Sequence, residues 1–255
     1  MSHHRMSHNK VMLVTGASRG IGAEIALLAG RNGWRVGVNY LNSAQAAQEV
    51  VKQIIGTGGQ AVALQADVGQ QDQVVRMFAQ LDEAFGPCDA LINNAGVLAH
   101  FRVDGADESQ LLDVFRANVF SAYYCSREAI RRMSTAHGGR GGVIVNMSSV
   151  ASRLGGLGGG AAYAASKGAI DSFNLALAKE VGPEGIRVNA IRPGLISTEI
   201  HNLHGGVEKM EQLAKTAVPL GRAGSAREVA EVALWLTSDA SSYVHGTIVD
   251  VAGGR

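Results

Sequence analysis

Short apolar runs alternate with amphipathic stretches along the whole chain, and this alternation restricts the fold more than any other feature of the sequence. Segments 10–15, 35–40, 60–66, 89–94, 142–148, 186–192 and 246–251 read as seven strands. Between them, segments 20–32, 43–55, 70–85, 107–133, 161–181 and 226–238 carry helical periodicity. The strands lack a clean polar face, as strands covered by helices on both sides do. Strand–helix–strand units with right-handed crossovers build a parallel sheet. The expectation is an α/β fold with a doubly wound, seven-stranded parallel sheet in a three-layer α/β/α sandwich. No linker, repeat or low-complexity break interrupts residues 10–255, which read as a single domain behind a polar, disordered leader at residues 1–9.

Composition narrows the function. The 255 residues are 46% hydrophobic and 18% charged, with a formal net charge of +1. That balance offers no basic field for nucleic acid and no acidic tail. No apolar run is long enough to span a bilayer. Met1 to Lys10 has no apolar segment of the kind a signal peptide needs. Two cysteines, Cys88 and Cys125, are too few for a disulfide framework, and a reducing cytoplasm is the expected setting.

The first strand runs into Thr15-Gly-Ala-Ser-Arg-Gly-Ile-Gly22, which opens the first helix. In this strand–loop–helix setting, Gly16 permits a tight turn, Gly20 lets a diphosphate approach the backbone and Gly22 allows close helix–sheet packing. The helix start offers free N–H groups to phosphate. Ser18, Arg19 and Ile21 fill the positions between these glycines. A carboxylate ending the second strand would hold a ribose 2′-hydroxyl. Here that stretch is Val38-Asn-Tyr40-Leu-Asn-Ser43, with none. Arg19 can reach a 2′-phosphate instead, so the expectation is NADP(H) in preference to NAD(H), with NAD(H) as the alternative and no second basic residue at Leu41.

Tyr163 and Lys167 stand four residues apart on the 161–181 helix and so share one face. An ammonium beside a phenol favours phenolate, and the expectation is a Tyr163 pKa drawn below its usual value near 10.

With these motifs in order, the chain resembles the short-chain dehydrogenases/reductases from Lys10 onward, in the branch of the bacterial glucose dehydrogenases and 3-oxoacyl-carrier-protein reductases. The resemblance rests on Thr15–Gly22, Asp67-Val68, Asn93-Asn-Ala-Gly96, Asn118, Ser148-Ser149, Tyr163-x-x-x-Lys167 and Pro193-Gly194. It implies a Rossmann fold and hydride transfer between a nicotinamide and a CH–OH or carbonyl group. It implies Tyr163 as acid/base, Lys167 on the nicotinamide ribose, Ser149 (rather than Ser148) orienting the substrate, and Asn118 holding a water linked to Lys167. It further implies that Tyr40, Asp67 and Val68 flank the adenosine and that Asn94, Ala95 and Gly96 line its ribose. Pro193, Gly194, Ile196 and Thr198 would meet the carboxamide and phosphates. The gap of fourteen residues from Ser149 to Tyr163 is about one longer than this family's usual spacing, and Gly158–Gly160 can absorb it.

Other signals are weaker. His201 and His204 have a metal-compatible spacing but no acidic or thiol partner nearby, so no metal is expected. Segment 207–217 reads as an amphipathic helix in a region that the resemblance makes a mobile substrate lid. The lid carries few charges, which favours a neutral substrate. Arg127, Arg131 and Arg132 form a basic cluster on one helix, readable as a solvated face or as a dock for an acidic carrier protein. The expected partner is a small carbonyl or alcohol; a sugar or polyol dehydrogenase and a nucleotide-sensing protein without chemistry are the alternatives. Segment 243–254 reads as an apolar edge strand that needs cover; the resemblance implies that this edge and the 107–133 and 161–181 helices form two distinct two-fold contacts, so a homotetramer of D2 symmetry is the expected assembly.

Overall fold

The computed structural model describes residues 10–156, 158–198 and 206–255. Seven parallel strands form one sheet: β1 (Val11–Val14), β2 (Arg35–Tyr40), β3 (Gln60–Gln65), β4 (Ala90–Asn93), β5 (Gly142–Met147), β6 (Ile186–Pro193) and β7 (Ile248–Val251). Their order is β3-β2-β1-β4-β5-β6-β7. The helices are α1 (Gly20–Arg31), α2 (Ala44–Gly56), α3 (Gln71–Phe85), α4 (Glu108–Phe115), α5 (Ser121–Met133), α6 (Ala151–Leu154), α7 (Ala161–Val181), α8 (Gly206–Ala217) and α9 (Ala226–Thr237). The expected seven-stranded doubly wound sheet is therefore present. His201 and His204 lie outside the described residues.

Alternation along the strands divides the core. Met12, Val14, Val36, Ile92 and Val145 point to one face, against α1, α2 and α9. Val11, Leu13, Leu91, Ile144 and Val188 point to the other, against α3, α5 and α7. A period of two on strands covered on both sides leaves no polar face, which is why the runs lack clean alternation. Buried amides stitch the central layers together. Asn93 Nδ2 donates to Asn146 Oδ1 at 2.9 Å, and Asn146 Nδ2 donates to Asn174 Oδ1 at 3.1 Å.

One segment differs from expectation, and two small elements add to the frame. The 107–133 segment is not one α-helix. Asp107 starts it with a capping box shared with Gln110, but residues Arg116–Phe120 wind into a π-helical turn between α4 and α5. Asn118 lies in that turn, a poor helix former whose side chain bonds outside the helix. The short helix α6 starts two residues after Ser149. Ile196–Ser197 and Gly224–Ser225 pair as a separate two-stranded ladder.

Strand order reverses between β1 and β4, which are neighbours in the sheet. Ligands of such sheets bind in the crevice beyond the strand ends at this reversal. The loops after β1, β4, β5 and β6 all open there.

Candidate active site

The glycine loop after β1 is held from both sides. Gly16 has φ +61°, and a Cβ there would stand 2.9 Å from Ala95 Cα. Gly16 N donates to Asn39 Oδ1 at 3.0 Å, and Ala17 N to the Asn39 carbonyl at 2.7 Å. Asn39 is buried in β2, and its Nδ2 donates to the carbonyls of Leu64 and Ala66. On the other side, Asn94 Nδ2 donates to the carbonyls of Thr15 (2.9 Å) and Gly16 (3.1 Å). A Cβ at Gly22 would fall 2.5 Å from both Asn94 Nδ2 and the Gly16 carbonyl. No side chain caps α1, and its first turn carries no acid. Its positive end and free N–H groups thus stay open to an anion. These features fit the diphosphate of the nicotinamide dinucleotide that the resemblance implies. Arg19 is exposed beside them.

Farther out, Tyr40 ends β2 half-buried and Val68 is buried. Asp67 Oδ1 accepts from Gly69 N at 2.9 Å. Leu41, Asn42, Asp67 and Arg76 share a polar depression there.

A single cavity joins the ends of β4, β5 and β6. Asn94, Gly96, Ser148, Ser149, Tyr163 and Lys167 line its inner side, with Ile21, Pro193, Gly194, Ile196 and Thr198. Its outer wall is mostly apolar and is built from Leu98, Ala99, Val150, Leu154, Leu195 and Met210, with His100 and Arg255. The 98–101 segment is fastened to the glycine loop before α7, as Phe101 N donates to the Gly159 carbonyl at 2.9 Å.

The two adjacent serines diverge. Ser148 is buried, and its single O–H is shared between Asp171 Oδ1 at 2.7 Å and the Lys167 carbonyl at 3.2 Å. Ser149 faces the cavity, which the Tyr163 side chain also lines, and it favours the Tyr163 phenolate. Its Oγ also accepts from Ala151 N at 3.1 Å, at the start of α6.

Lys167 is buried, and its Nζ donates to the Met147 carbonyl at 2.8 Å. Burial pushes its ammonium down to about 8, against an opposing pull from Asp171. The Tyr163 phenol moves opposite to the sequence-based expectation. Burial raises it, and Ser149 offsets this only in part. Lys167 Nζ stands 5.8 Å from the Tyr163 ring centroid and donates to a backbone carbonyl, and burial of the phenol dominates.

Asn118 braces this floor. Its Oδ1 accepts from Val97 N at 2.7 Å, while Nδ2 donates to the Val97 carbonyl and to Ser166 Oγ. Both amide N–H groups are thus engaged by protein atoms. The basic cluster is likewise engaged, since Arg127, Arg131 and Arg132 all pair with buried Glu128. Arg132 also pairs with Asp82 at 2.7 Å. Among the described residues, no three metal-ligating side chains gather, and no helix is long and apolar enough to cross a membrane.

Sequence reading missed Asn39, Asp171, Arg192 and Arg255. Asn39 had a signal, as a lone amide in an otherwise apolar buried strand needs partners. Asp171 had one too, falling four residues beyond Lys167 on the same helical face.

A family profile described as "Enoyl-(Acyl carrier protein) reductase" matches residues 16–255. The chain is 47% identical to the uncharacterized oxidoreductase YgfF of Escherichia coli K12, over 96% of this chain and 99% of that protein. It is 39% identical to the versicolorin reductase stcU of Emericella nidulans, covering 96% of this chain and 95% of that one. A solved mutant of a Serratia marcescens short-chain dehydrogenase/reductase superposes with a TM-score of 0.89 at 32% identity, over 98% of this chain and 99% of that one. The sheet order, the glycine loop and these matches agree, and the chain belongs to the short-chain dehydrogenase/reductase family of NAD(P)(H)-using oxidoreductases.

Proposed function

We propose that this protein is an NADP(H)-dependent reductase that interconverts a bulky, largely apolar ketone and its secondary alcohol. One observation carries the reading: the hydroxyls of Ser149 and Tyr163 line one apolar-walled cavity, with buried Lys167 on its inner side. Gly16, Ser18, Arg19, Gly20, Ile21 and Gly22 would hold the dinucleotide phosphates, with Arg19 on the 2′-phosphate. Tyr40, Asp67 and Val68 would hold the adenosine, and Asn94, Ala95 and Gly96 its ribose. Lys167 and Tyr163 would hold the nicotinamide ribose, and Pro193, Gly194, Ile196 and Thr198 the carboxamide side. The bound cofactor supplies a hydride at nicotinamide C4, or accepts one in the reverse direction.

The protein's own groups handle the oxygen and its proton. Ser149 Oγ donates to the carbonyl oxygen and fixes its position. Tyr163 gives its phenolic proton to that oxygen in reduction and, as phenolate, takes the proton back in oxidation. The upward shift of its phenol keeps the donor form populated. The Lys167 ammonium stabilises the phenolate left behind, and the two hydroxyls polarise the carbonyl by hydrogen bonding. Asn118 holds Val97 and Ser166 in place, and so fixes the floor beneath Lys167.

The apolar wall supports a ketone over a sugar or polyol, whose hydroxyls would lack partners there. The relative that bears the name versicolorin reductase supports the same direction of chemistry. Residues 10–255 are read as one domain, assembled as a D2 homotetramer in the cytoplasm. The test is a screen of ketones, sugars and enoyl thioesters that follows NADPH and NADH absorbance and identifies the product. A ketone turned into its alcohol supports the reading. A reduced C=C bond with an intact carbonyl, a sugar-only activity, or cofactor binding without turnover would refute it.

A further inference from the structure

Tyr163, Lys167 and Asp171 occupy successive turns of one face of α7. The first two form the proposed proton-handling pair. Asp171 lies between the active-site strands and the edge of the sheet. Ser148 Oγ donates to its Oδ1 at 2.7 Å. Arg192, on β6, clasps Oδ2 through Nε (3.1 Å) and Nη2 (2.8 Å). Arg192 also reaches Asp250 of β7 at 3.5 Å, and Asp250 pairs with Arg153 of α6 at 3.2 Å. Arg153 in turn donates to the Arg255 carbonyl at 2.8 Å. Ser148 binds Asp171 and the Lys167 carbonyl with the same hydroxyl.

A surface ion pair needs none of this. Asp171 and Arg192 have side chains only 13% and 20% exposed, and removing a buried carboxylate from its partners is expensive. The carboxylate also has a second cation to serve, since Lys167 is buried with a backbone carbonyl as its hydrogen-bond acceptor. The groups facing Lys167 are few. Asn94, Gly96 and Asn118 are uncharged, β5 offers the Met147 carbonyl and Ser148, and α7 offers Tyr163 and Asp171. Arg192 lies behind Asp171, and His100 and Arg255 stand on the far wall of the cavity. Among the described residues, Asp171 is the carboxylate that acts electrostatically on Lys167.

We propose that Asp171 is a positioning residue of this site: clamped between Ser148 and Arg192, it keeps Lys167 an ammonium and locks the Ser148–Ser149 turn to the helix that carries Tyr163. The inference rests on the reading of Tyr163 and Lys167 as the proton-handling pair. It extends that reading to the sheet edge, because Arg192 and Asp250 set where the carboxylate stands.

The two cations and the carboxylate make the test signed. In protein carrying 13Cε-labelled lysine, the Lys167 signal is assigned by its loss in Lys167→Arg and titrated without cofactor. Asp171→Asn should lower the proton affinity of Lys167 about tenfold, and Asp171→Glu should restore most of it. Arg192→Gln removes a neighbouring cation but leaves the carboxylate, so it should raise that affinity. A purely structural role loosens the site in both variants and gives no opposite signs. In turnover, the alkaline limb of kcat/KM should move to lower pH in Asp171→Asn and follow the Lys167 titration. An unmoved Lys167 midpoint, shifts of the same sign in both variants, or an unmoved alkaline limb overturns the proposal. If Asp171→Asn does not fold, the direction of the Arg192→Gln shift decides. If the wild-type protein reduces no carbonyl with either cofactor, the reductase reading fails while the lysine titration still judges Asp171.

Discussion

Lys167 Nζ donates to the Met147 carbonyl at 2.8 Å and stands 5.8 Å from the centroid of the Tyr163 ring. The lysine is thus anchored to the end of β5, beside the phenol. Burial then acts on the two groups in opposite directions, depressing the ammonium and raising the phenol. Desolvation disfavours whichever form is charged. Burial thus brings the Lys167 ammonium to about 8 and keeps the Tyr163 phenol in its protonated, proton-donating form.

Tyr163→Phe should lower kcat by about 10²–10⁴-fold, the usual contribution of one acid/base. NADPH affinity should change little, because the ring and its packing remain. Turnover and cofactor titration on the purified variant check this. Retention of more than about a tenth of wild-type kcat would remove Tyr163 from the proton transfer.

Lys167 gives a stability prediction with a definite sign. Its ammonium titrates at about 8 in the folded protein, against 10.5 as the ordinary value. Below about 8 both states are charged, and burial costs the fold about 3 kcal/mol. Between the two values the unfolded chain holds the extra proton, so stability rises with pH across that window. Cofactor-free Lys167→Met should therefore be inactive but more stable than wild type. Its advantage should be greatest below about pH 8 and shrink towards pH 10.5. Denaturant unfolding across this range checks it, and a difference independent of pH would contradict it.

Cofactor choice should depend on Arg19, which is exposed at the open end of α1. NADPH should bind more tightly than NADH, and Arg19→Ala should narrow the gap by about tenfold, as for the loss of one charge-assisted contact. Asp at Leu41 should favour NADH. Equal dissociation constants for the two cofactors in the wild-type protein would refute the preference.

Assembly can be read from what the fold leaves uncovered. Among the described residues β7 pairs with β6 alone, and Trp235 and Tyr243 are exposed. On the helices, Leu111, Leu112, Phe120, Tyr123 and Leu175 are also exposed. Apolar side chains in such number on two separate surfaces suit two distinct two-fold contacts. Light scattering should give about four times the 26.6 kDa chain mass. Tyr123→Arg should reduce this to about half by breaking the helical contact, and a wild-type monomer would contradict the assembly.

The sheet was legible in the sequence because buried parallel strands and amphipathic helices impose local periodicities. The glycine loop and the Tyr163–Lys167 spacing were legible for the same reason: each is written within a few residues. What escaped depends on contacts between distant segments. Asn39 braces Gly16 from 23 residues away, and Arg192 meets Asp171 across 21. The apolar wall joins Leu98, Leu195 and Met210 from three separate segments. The direction of the Tyr163 shift escaped because it depends on how deeply α7 is buried and on where Lys167 finds its acceptor. The π-helical turn at Asn118 escaped because its cause lies outside the helix, at the backbone of Val97.

The central claim is that hydroxyls and an ammonium, arranged around an apolar cavity, reduce a ketone. The most direct measurement follows NADPH absorbance as a bicyclic aryl ketone such as 1-tetralone is added to the wild-type protein and to Tyr163→Phe. Product identity is established in parallel by mass spectrometry. The wild type should form one secondary alcohol per NADPH oxidised, and turnover should be lower by at least about a hundredfold in the variant. Saturable NADPH binding with no alcohol formed from this or other bulky apolar ketones, or equal turnover by both proteins, would contradict it.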